Sequence, residues 1–394
     1  MPKFKYLIIG GGMTADSAIQ GIREVDSTGS IGLISMEKDP PYDRPPLTKG
    51  LWKDKSLDSI WRGAAKQNAQ LHLGRTVKAL DLKQKQATDD QGTVYSFEKL
   101  LLATGGEPRL LPFESDKIIY YRTAEDYRRL RAATEKGKRF VVIGGGFIGS
   151  EIAASLAMNG KHVTLLFPGP SIGNRIYPRA LSEFLNRYYQ EKGVTVLPGE
   201  TVVGVTEKTD ELVVKTKSGK EYAADGVIAG LGIEPSTDLA REAGLKVEDG
   251  IVVDAFLQTS APDVFAAGDV AAFHNPALDR RVRVEHEDNA NTMGKIAGRN
   301  LAGKKERYDH LPFFYSDLFD LGYEAVGELD SRLETFADWK TENREGVIYY
   351  LREGRVRGVL LWNTWGQVDA AREIIASHRA YRPAELKGLL PKPG

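Results

Sequence analysis

Phe4–Ile9 is a nearly unbroken apolar run that ends on Gly10-Gly11-Gly12. The residues that follow take a helical period to about Val25. Ile31–Ser35 is a second apolar run, and Glu37 lies just past it. Strand, glycine turn, helix, strand, acid is the order of a βαβ unit. The order then recurs. Phe140–Ile143 is followed by Gly144-Gly145-Gly146, a helix over Phe147–Asn159 closed by Gly160, and a returning strand His162–Phe167. The two turns are too far apart for one motif and fit two domains. Leu100–Ala103, Val194–Leu197, Leu212–Lys217, Val227–Ala229 and Val264–Ala267 predict further strands. Residues 39–50 (DPPYDRPPLTKG) predict an irregular loop. Glu287–Leu301 predicts a helix with Ala290, Met293, Ala297 and Leu301 along one face. After Lys305 the pattern changes. Tyr323–Gly327, Val347–Arg352 and Val356–Trp362 predict antiparallel strands, with Glu353-Gly354 as a hairpin turn and Asp369–Ser377 as a short helix.

The chain has 394 residues, 41% of them hydrophobic and 27% charged, as in an ordinary soluble protein of two or three domains. Lys+Arg and Asp+Glu both count 54, which argues against nucleic acid as a partner. There are no cysteines, which removes disulfides, thiolate nucleophiles, iron–sulfur clusters and cysteine zinc sites; no metal is expected. The first apolar run is too short for a membrane span or a signal-peptide core. The expected compartment is the cytoplasm, with no integral membrane segment.

Gly10-x-Gly12-x-x-Ala15 has the spacing of a dinucleotide turn. The first glycine makes the bend, the second admits a pyrophosphate, and the small third residue lets helix and strand pack closely. Glu37 is placed to hold a ribose diol. Gly144-x-Gly146-x-x-Gly149 repeats the turn, so two such units imply two dinucleotides. The second unit lacks the acid: Phe167, Pro168 and Gly169 stand where it is expected, and Arg175 lies nearby to meet a 2′-phosphate. NADH and NADPH both remain open. Ala103-Thr104-Gly105 ends a strand with small residues, and Gly268-Asp269 ends another with an acid at an expected helix start.

These pieces, in this order, resemble the FAD/NAD(P)H flavoprotein reductases of the pyridine nucleotide-disulfide oxidoreductase superfamily. Arg44-Pro45-Pro46-Leu47-Thr48-Lys49 is similar to a segment shared by ferredoxin reductases and the apoptosis-inducing-factor group. Leu166–Pro168, Val284–His286, Ser316–Leu318, Gly322–Ala325 and Leu361–Asn363 match the latter group alone, so the likeness covers essentially the whole chain. There are departures. Neither a presequence with membrane anchor nor a long regulatory insertion at Ser331–Gly346 is expected, Gly169 stands for the ribose-binding acid of the second site, and Tyr315 for the nicotinamide-side Trp.

The resemblance implies a glutathione-reductase-like α/β fold. It has a discontinuous FAD domain (1–112 and 234–305), an NAD(P)H domain (113–233) and a C-terminal α+β domain with an antiparallel sheet (306–394). Hydride would pass from NAD(P)H to non-covalent FAD, and electrons onward to a ferredoxin-like protein, quinone or oxygen. The alternative is an NADH-sensing switch that changes oligomeric state or partner binding; a homodimer fits either.

The same resemblance implies residue roles. Lys49 would sit near the flavin and pair with Glu151. Phe147 would cover the flavin face, with Glu285 and His286 nearby. Asp269 would bond the ribityl chain, and Arg44 and Arg122 the pyrophosphate or flavin edge. Val77 would meet adenine through its backbone. Thr14, Ala103, Thr104, Gly105 and Gly268 would complete the FAD set. Ile148 and Gly232 would join the NAD(P)H set, and Tyr315, Glu324 and Asn363 would close over nicotinamide. Arg280-Arg281-x-Arg283 is either a solvated loop or a docking site for an acidic carrier.

Overall fold

A computed structural model describes residues 1–209 and 211–391, so the last three residues of the expected C-terminal domain lie outside the described residues. The chain divides into two compact units.

The first unit comprises Met1–Arg44, Ser56–Glu107 and Glu234–Pro312. Its seven-stranded sheet runs in the order Ala69–Leu73, Ile31–Ser35, Lys3–Ile9, Val94–Leu102, Gln86–Asp89, Val77–Asp81, with Val264–Ala266 also on Val94–Leu102. The strands around Lys3–Ile9 are parallel, in register Tyr6↔Ile31 and Tyr6↔Lys99. Ile31–Ser35 is buried at every position, because helices of a doubly wound fold cover both faces and demand a continuous apolar run. Gln86–Asp89 and Val77–Asp81 return antiparallel.

Two helices of this unit, Met13–Arg23 and Glu287–Leu301, cross at backbone distance. A Cβ on Gly298 would stand 2.0 Å from the Ala18 carbonyl, one on Gly294 2.4 Å from the Thr14 carbonyl, and one on Gly21 2.0 Å from the Lys295 carbonyl. The helix Glu287–Leu301 thus matches its predicted span.

The second unit comprises Pro45–Lys55, Pro108–Ile233 and Phe313–Gly394. A five-stranded parallel sheet has the order Thr195–Pro198, His162–Phe167, Arg139–Ile143, Gly226–Ala229, Ile118–Tyr120. A three-stranded antiparallel sheet follows (Val202–Lys208, Glu211–Thr216, Glu221–Ala224). The C-terminal sheet is five-stranded and antiparallel: Phe313–Leu318, Leu321–Gly327, Arg355–Trp362, Glu345–Arg352, Glu334–Thr341. At its hairpin, Glu353 and Gly354 both have positive φ (52° and 74°), as a tight two-residue turn requires.

Two local expectations are corrected. The Pro-rich loop is more ordered than its composition implied: Pro45–Thr48 and Gly50–Trp52 are 3₁₀ turns that bury Leu47, Thr48, Leu51 and Trp52. Proline pre-sets φ at the first turn, and the second unit ties down the backbone: Tyr121 Oη donates to Leu47 O (2.5 Å) and Ser155 Oγ to Thr48 O (2.7 Å). Asp269 does not open an α-helix. It lies in the 3₁₀ turn Gly268–Val270, which runs straight into the strand Ala271–Asn275, so no helix dipole stands behind it.

Candidate functional site

In the first unit the candidate residues gather at the carboxyl ends of parallel strands, where open α/β sheets bind ligands. Gly10 has φ 118°, and a Cβ there would stand 2.0 Å from the Ala103 carbonyl. The Gly10 bend therefore lies on the backbone of Ala103-Thr104 and leaves no room for a side chain at position 10. Thr104 Oγ1 donates to Ser236 O (2.8 Å) and Gly105 O accepts from Ser236 N (3.0 Å). Gly268 (φ 78°) lies against Thr14: a Cβ on it would meet Thr14 Oγ1 at 2.3 Å. Ala15 is fully buried behind the turn.

Gly12 is the N-cap of the helix Met13–Arg23 and provides no side-chain cap, while a Cβ added to it would meet nothing within 4 Å. The space beside Gly12 at the start of this helix is thus open. That is a cradle for a pyrophosphate, and the donor set fits a dinucleotide.

Glu37 accepts hydrogen bonds from Tyr42 Oη (2.5 Å) and the Arg44 guanidinium. Burial opposes the charge on Arg44, but Tyr42, Glu37 and Asp269 outweigh it and hold the guanidinium above its ordinary value. Arg44, Glu37 and Asp269 thus belong to one electrostatic cluster. Arg283, mostly buried, donates to Asp269 O (3.1 Å) and pairs with Asp249 and Glu285. The stretch Arg280–Val282 is a strand, and Arg281 donates to Val253 O and Ala272 O. His286 is the N-cap position of the helix Glu287–Leu301, and Val77 opens the strand Val77–Asp81 opposite Asp89.

The second unit repeats the turn. Gly144 has φ 116°, and a Cβ there would stand 2.3 Å from the Gly230 carbonyl; one on Gly149 would stand 1.8 Å from the Gly144 carbonyl. Gly146 caps the helix Phe147–Met158 with no side-chain bond and with open space around it. Ile148 lies in that helix's first turn, and Gly232 (φ 84°) bends the chain after Gly226–Ala229. The Phe167 ring packs beside Gly145, and Asn174 beside Gly169. Arg175 is exposed in the same loop. Arg122 precedes the helix Ala124–Lys136 and donates its backbone N–H to Asp126 Oδ2 (3.1 Å).

One turn into the helix Phe147–Met158 lies Glu151, only 4% exposed. Its Oε1 accepts from Lys49 Nζ (2.7 Å) and Ser316 Oγ (2.6 Å), and its Oε2 from Thr48 Oγ1 (2.5 Å). The Tyr315 ring lies 5.1 Å from Lys49 Nζ. Phe147 meets Phe314 edge-to-face at 5.5 Å. Burial pushes the hydroxyls of Tyr177, Tyr189 and Tyr323 up, and the Glu151 charge adds to it, so these tyrosines stay neutral. Glu324 stands opposite Tyr315 and accepts from Gly366 N (3.0 Å). The Asn363 amide accepts from Gly322 N and donates to Arg344 O, so it laces the C-terminal sheet together.

Thr48, Ser316 and Tyr42 fall within segments read from the sequence but were given no role of their own. Each stands next to or near a residue that was given one, but a lone hydroxyl leaves no period or spacing to read.

Residues 4–294 match the family model described as pyridine nucleotide-disulphide oxidoreductase. The chain belongs to that family. Residues 297–345 and 338–377 match the C-terminal model of apoptosis-inducing factor, mitochondrion-associated. The chain is 36% identical to apoptosis-inducing factor 1, mitochondrial, of Dictyostelium discoideum, over 96% of this chain and 79% of that protein. It is 34% identical to monodehydroascorbate reductase 3 of Arabidopsis thaliana, over 91% of this chain and 89% of that protein. The covalent putidaredoxin reductase–putidaredoxin complex superposes with a TM-score of 0.91 at 32% identity, over 99% of this chain and 97% of that one. This family member is an oxidoreductase of FAD and NAD(P)H, with two Rossmann-like domains and a C-terminal antiparallel sheet. No helix among the described residues is long and apolar enough to cross a membrane.

Proposed function

We propose that this oxidoreductase draws electrons from NAD(P)H and delivers them singly to an external carrier of the ferredoxin type, working in the cytoplasm. The observation that carries the reading is the pair of open, uncapped glycine turns in a chain without cysteine. Two dinucleotides have seats, and no protein dithiol exists to relay electrons. The solved relative in complex with putidaredoxin supports a small redox protein as acceptor. FAD, when bound, supplies the chemistry: its flavin takes a hydride from NAD(P)H and releases electrons one at a time.

The chain supplies seating and charge. Gly10, Gly12, Thr14, Glu37, Arg44 and Asp269 would hold FAD, with Val77 and Arg122 at its periphery. Gly144, Gly146, Ile148, Gly149, Arg175 and Gly232 would hold NAD(P)H. Lys49, paired with Glu151 at 2.7 Å, would offer its ammonium to negative charge developing on the flavin. Phe147 would shield the flavin face, and His286 with Glu285 would flank it. Tyr315, Glu324 and Asn363 would close over the nicotinamide. The functional division is the discontinuous 1–112/234–305, 113–233 and 306–394.

The test is anaerobic reduction of the purified yellow protein with NADH or NADPH, followed by addition of a [2Fe–2S] ferredoxin, a quinone or air. Reoxidation fastest with ferredoxin is the expected result. Slow reoxidation by all three, with NADH-dependent dimerisation, would replace this reading with the sensor. A protein that stays colourless with added FAD overturns both.

A further inference from the structure

The Glu151 carboxylate is buried and receives three donors from two other stretches of the second unit. Lys49 comes from the Pro45–Lys55 segment, Glu151 from the turn helix, and Ser316 from the first strand of the C-terminal sheet. The preceding residue on that strand, Tyr315, puts its ring 5.1 Å from the same ammonium. Neighbouring residues of one strand therefore grip both members of the ion pair, Tyr315 the cation and Ser316 the anion. Successive side chains of a strand point to opposite faces, yet here both serve one pair. The strand can do this because Ser316 is short and fully buried while Tyr315 is long and half-buried.

The charge distribution follows from the donor count. Ser316 and Lys49 share Oε1, and Thr48 takes Oε2. Each hydroxyl draws off part of the carboxylate's charge, so Glu151 binds Lys49 without consuming it. An ammonium has three N–H groups. Glu151 takes one, leaving donors for a ligand.

We propose that Ser316 is a positioning residue of the reaction: through Glu151 it sets how strongly Lys49 is held, and hence how much positive charge the chain presents to the flavin. The C-terminal sheet thereby tunes the cofactor rather than only covering it. This rests on the flavin reading above, with Lys49 facing that group.

The experiment measures the two-electron midpoint potential of the FAD-loaded protein by dye equilibration, in wild type, Ser316→Ala and Ser316→Thr. Without the Ser316 hydroxyl, Oε1 turns more fully on Lys49 and the reduced flavin, the more negative form, loses stabilisation. The expected result is a fall in the reduced-to-oxidised ratio of about tenfold at fixed potential, about 30 mV for a two-electron couple. Ser316→Thr keeps the hydroxyl and should restore the wild-type value. An unchanged potential in folded, flavin-loaded Ser316→Ala overturns the proposal, and so does a shift that Thr fails to restore, since that reports packing. If Ser316→Ala does not fold, Thr48→Val removes the donor on Oε2: a fall in potential supports the proposal and none overturns it. A protein that binds no FAD instead refutes the functional reading itself and takes this inference with it.

Discussion

Glu151→Gln keeps the side-chain shape and its amide oxygen can still accept from Ser316 or Thr48. What it removes is the negative charge beside Lys49, whose side chain is only 13% exposed. Breaking a buried ion pair from one side costs about 3–5 kcal/mol, because the partner's charge is left uncompensated. The surviving hydroxyl contacts place the expected cost at the lower end, about 3 kcal/mol. For a unit of this size 1 kcal/mol is worth about 2–4 °C, so the melting transition should fall by roughly 6–12 °C. Lys49→Met, added to Glu151→Gln, replaces the stranded ammonium with an apolar chain of similar length. It should recover at least about 1 kcal/mol, although it removes a further group. Thermal unfolding of the four proteins of this cycle, followed by circular dichroism, reads the coupling directly. A double variant no more stable than Glu151→Gln would show that the cost is not electrostatic, and the reasoning would fail.

Gly12→Ala should leave the fold intact, since its φ is −88° and its Cβ meets nothing, yet weaken FAD binding at least about tenfold, about 1.4 kcal/mol; Gly10→Ala should unfold the turn, and flavin titration beside melting curves separates the two. Gly146→Ala should raise the KM for NAD(P)H while flavin content stays at the wild-type level, checked by steady-state kinetics and the absorbance ratio. Gly298→Ala forces a Cβ onto the Ala18 carbonyl and should cost about 1–3 kcal/mol, measured by urea unfolding. Asp225 is pulled down to about 2: burial opposes its charge, but the Arg139 side chain and the Arg139 and Lys138 backbone N–H groups prevail. A lowered carboxylate contributes stability that is full above its unfolded value near 3.9 and is lost as pH falls toward 2. Asp225→Asn should therefore remove about 2 kcal/mol at pH 7 and flatten the acid limb between pH 4 and 2.

The paired βαβ units were legible because parallel strands covered on both faces must be continuous apolar runs. Ile31–Ser35, His162–Phe167 and Glu287–Leu301 occupy the spans their patterns predicted. Val77–Asp81 and Glu334–Thr341 were not legible, since most of their positions are exposed or half-exposed and no apolar face marks them. Gly268-Asp269 misled for a different reason: a small residue followed by an acid is also how a 3₁₀ turn begins. The site divided similarly. Glycine spacing exposed the two turns, because backbone proximity forces that residue type at fixed intervals. The donors on Glu151 are set by tertiary packing between stretches distant in sequence, and a single Ser or Thr carries no local mark of it.

The bare helix N-termini at Gly12 and Gly146 bear on how ligand binding and folding are linked. A glycine N-cap forgoes only about a few tenths of a kcal/mol relative to Asn, Ser or Asp, so leaving these helix starts bare for a ligand costs the fold little. Whatever binds the folded form alone adds RT ln(1 + [L]/Kd), about 2.7 kcal/mol at a hundredfold excess over Kd. Loading and folding are then linked equilibria. A dinucleotide seated at either turn would therefore raise the melting transition with its concentration.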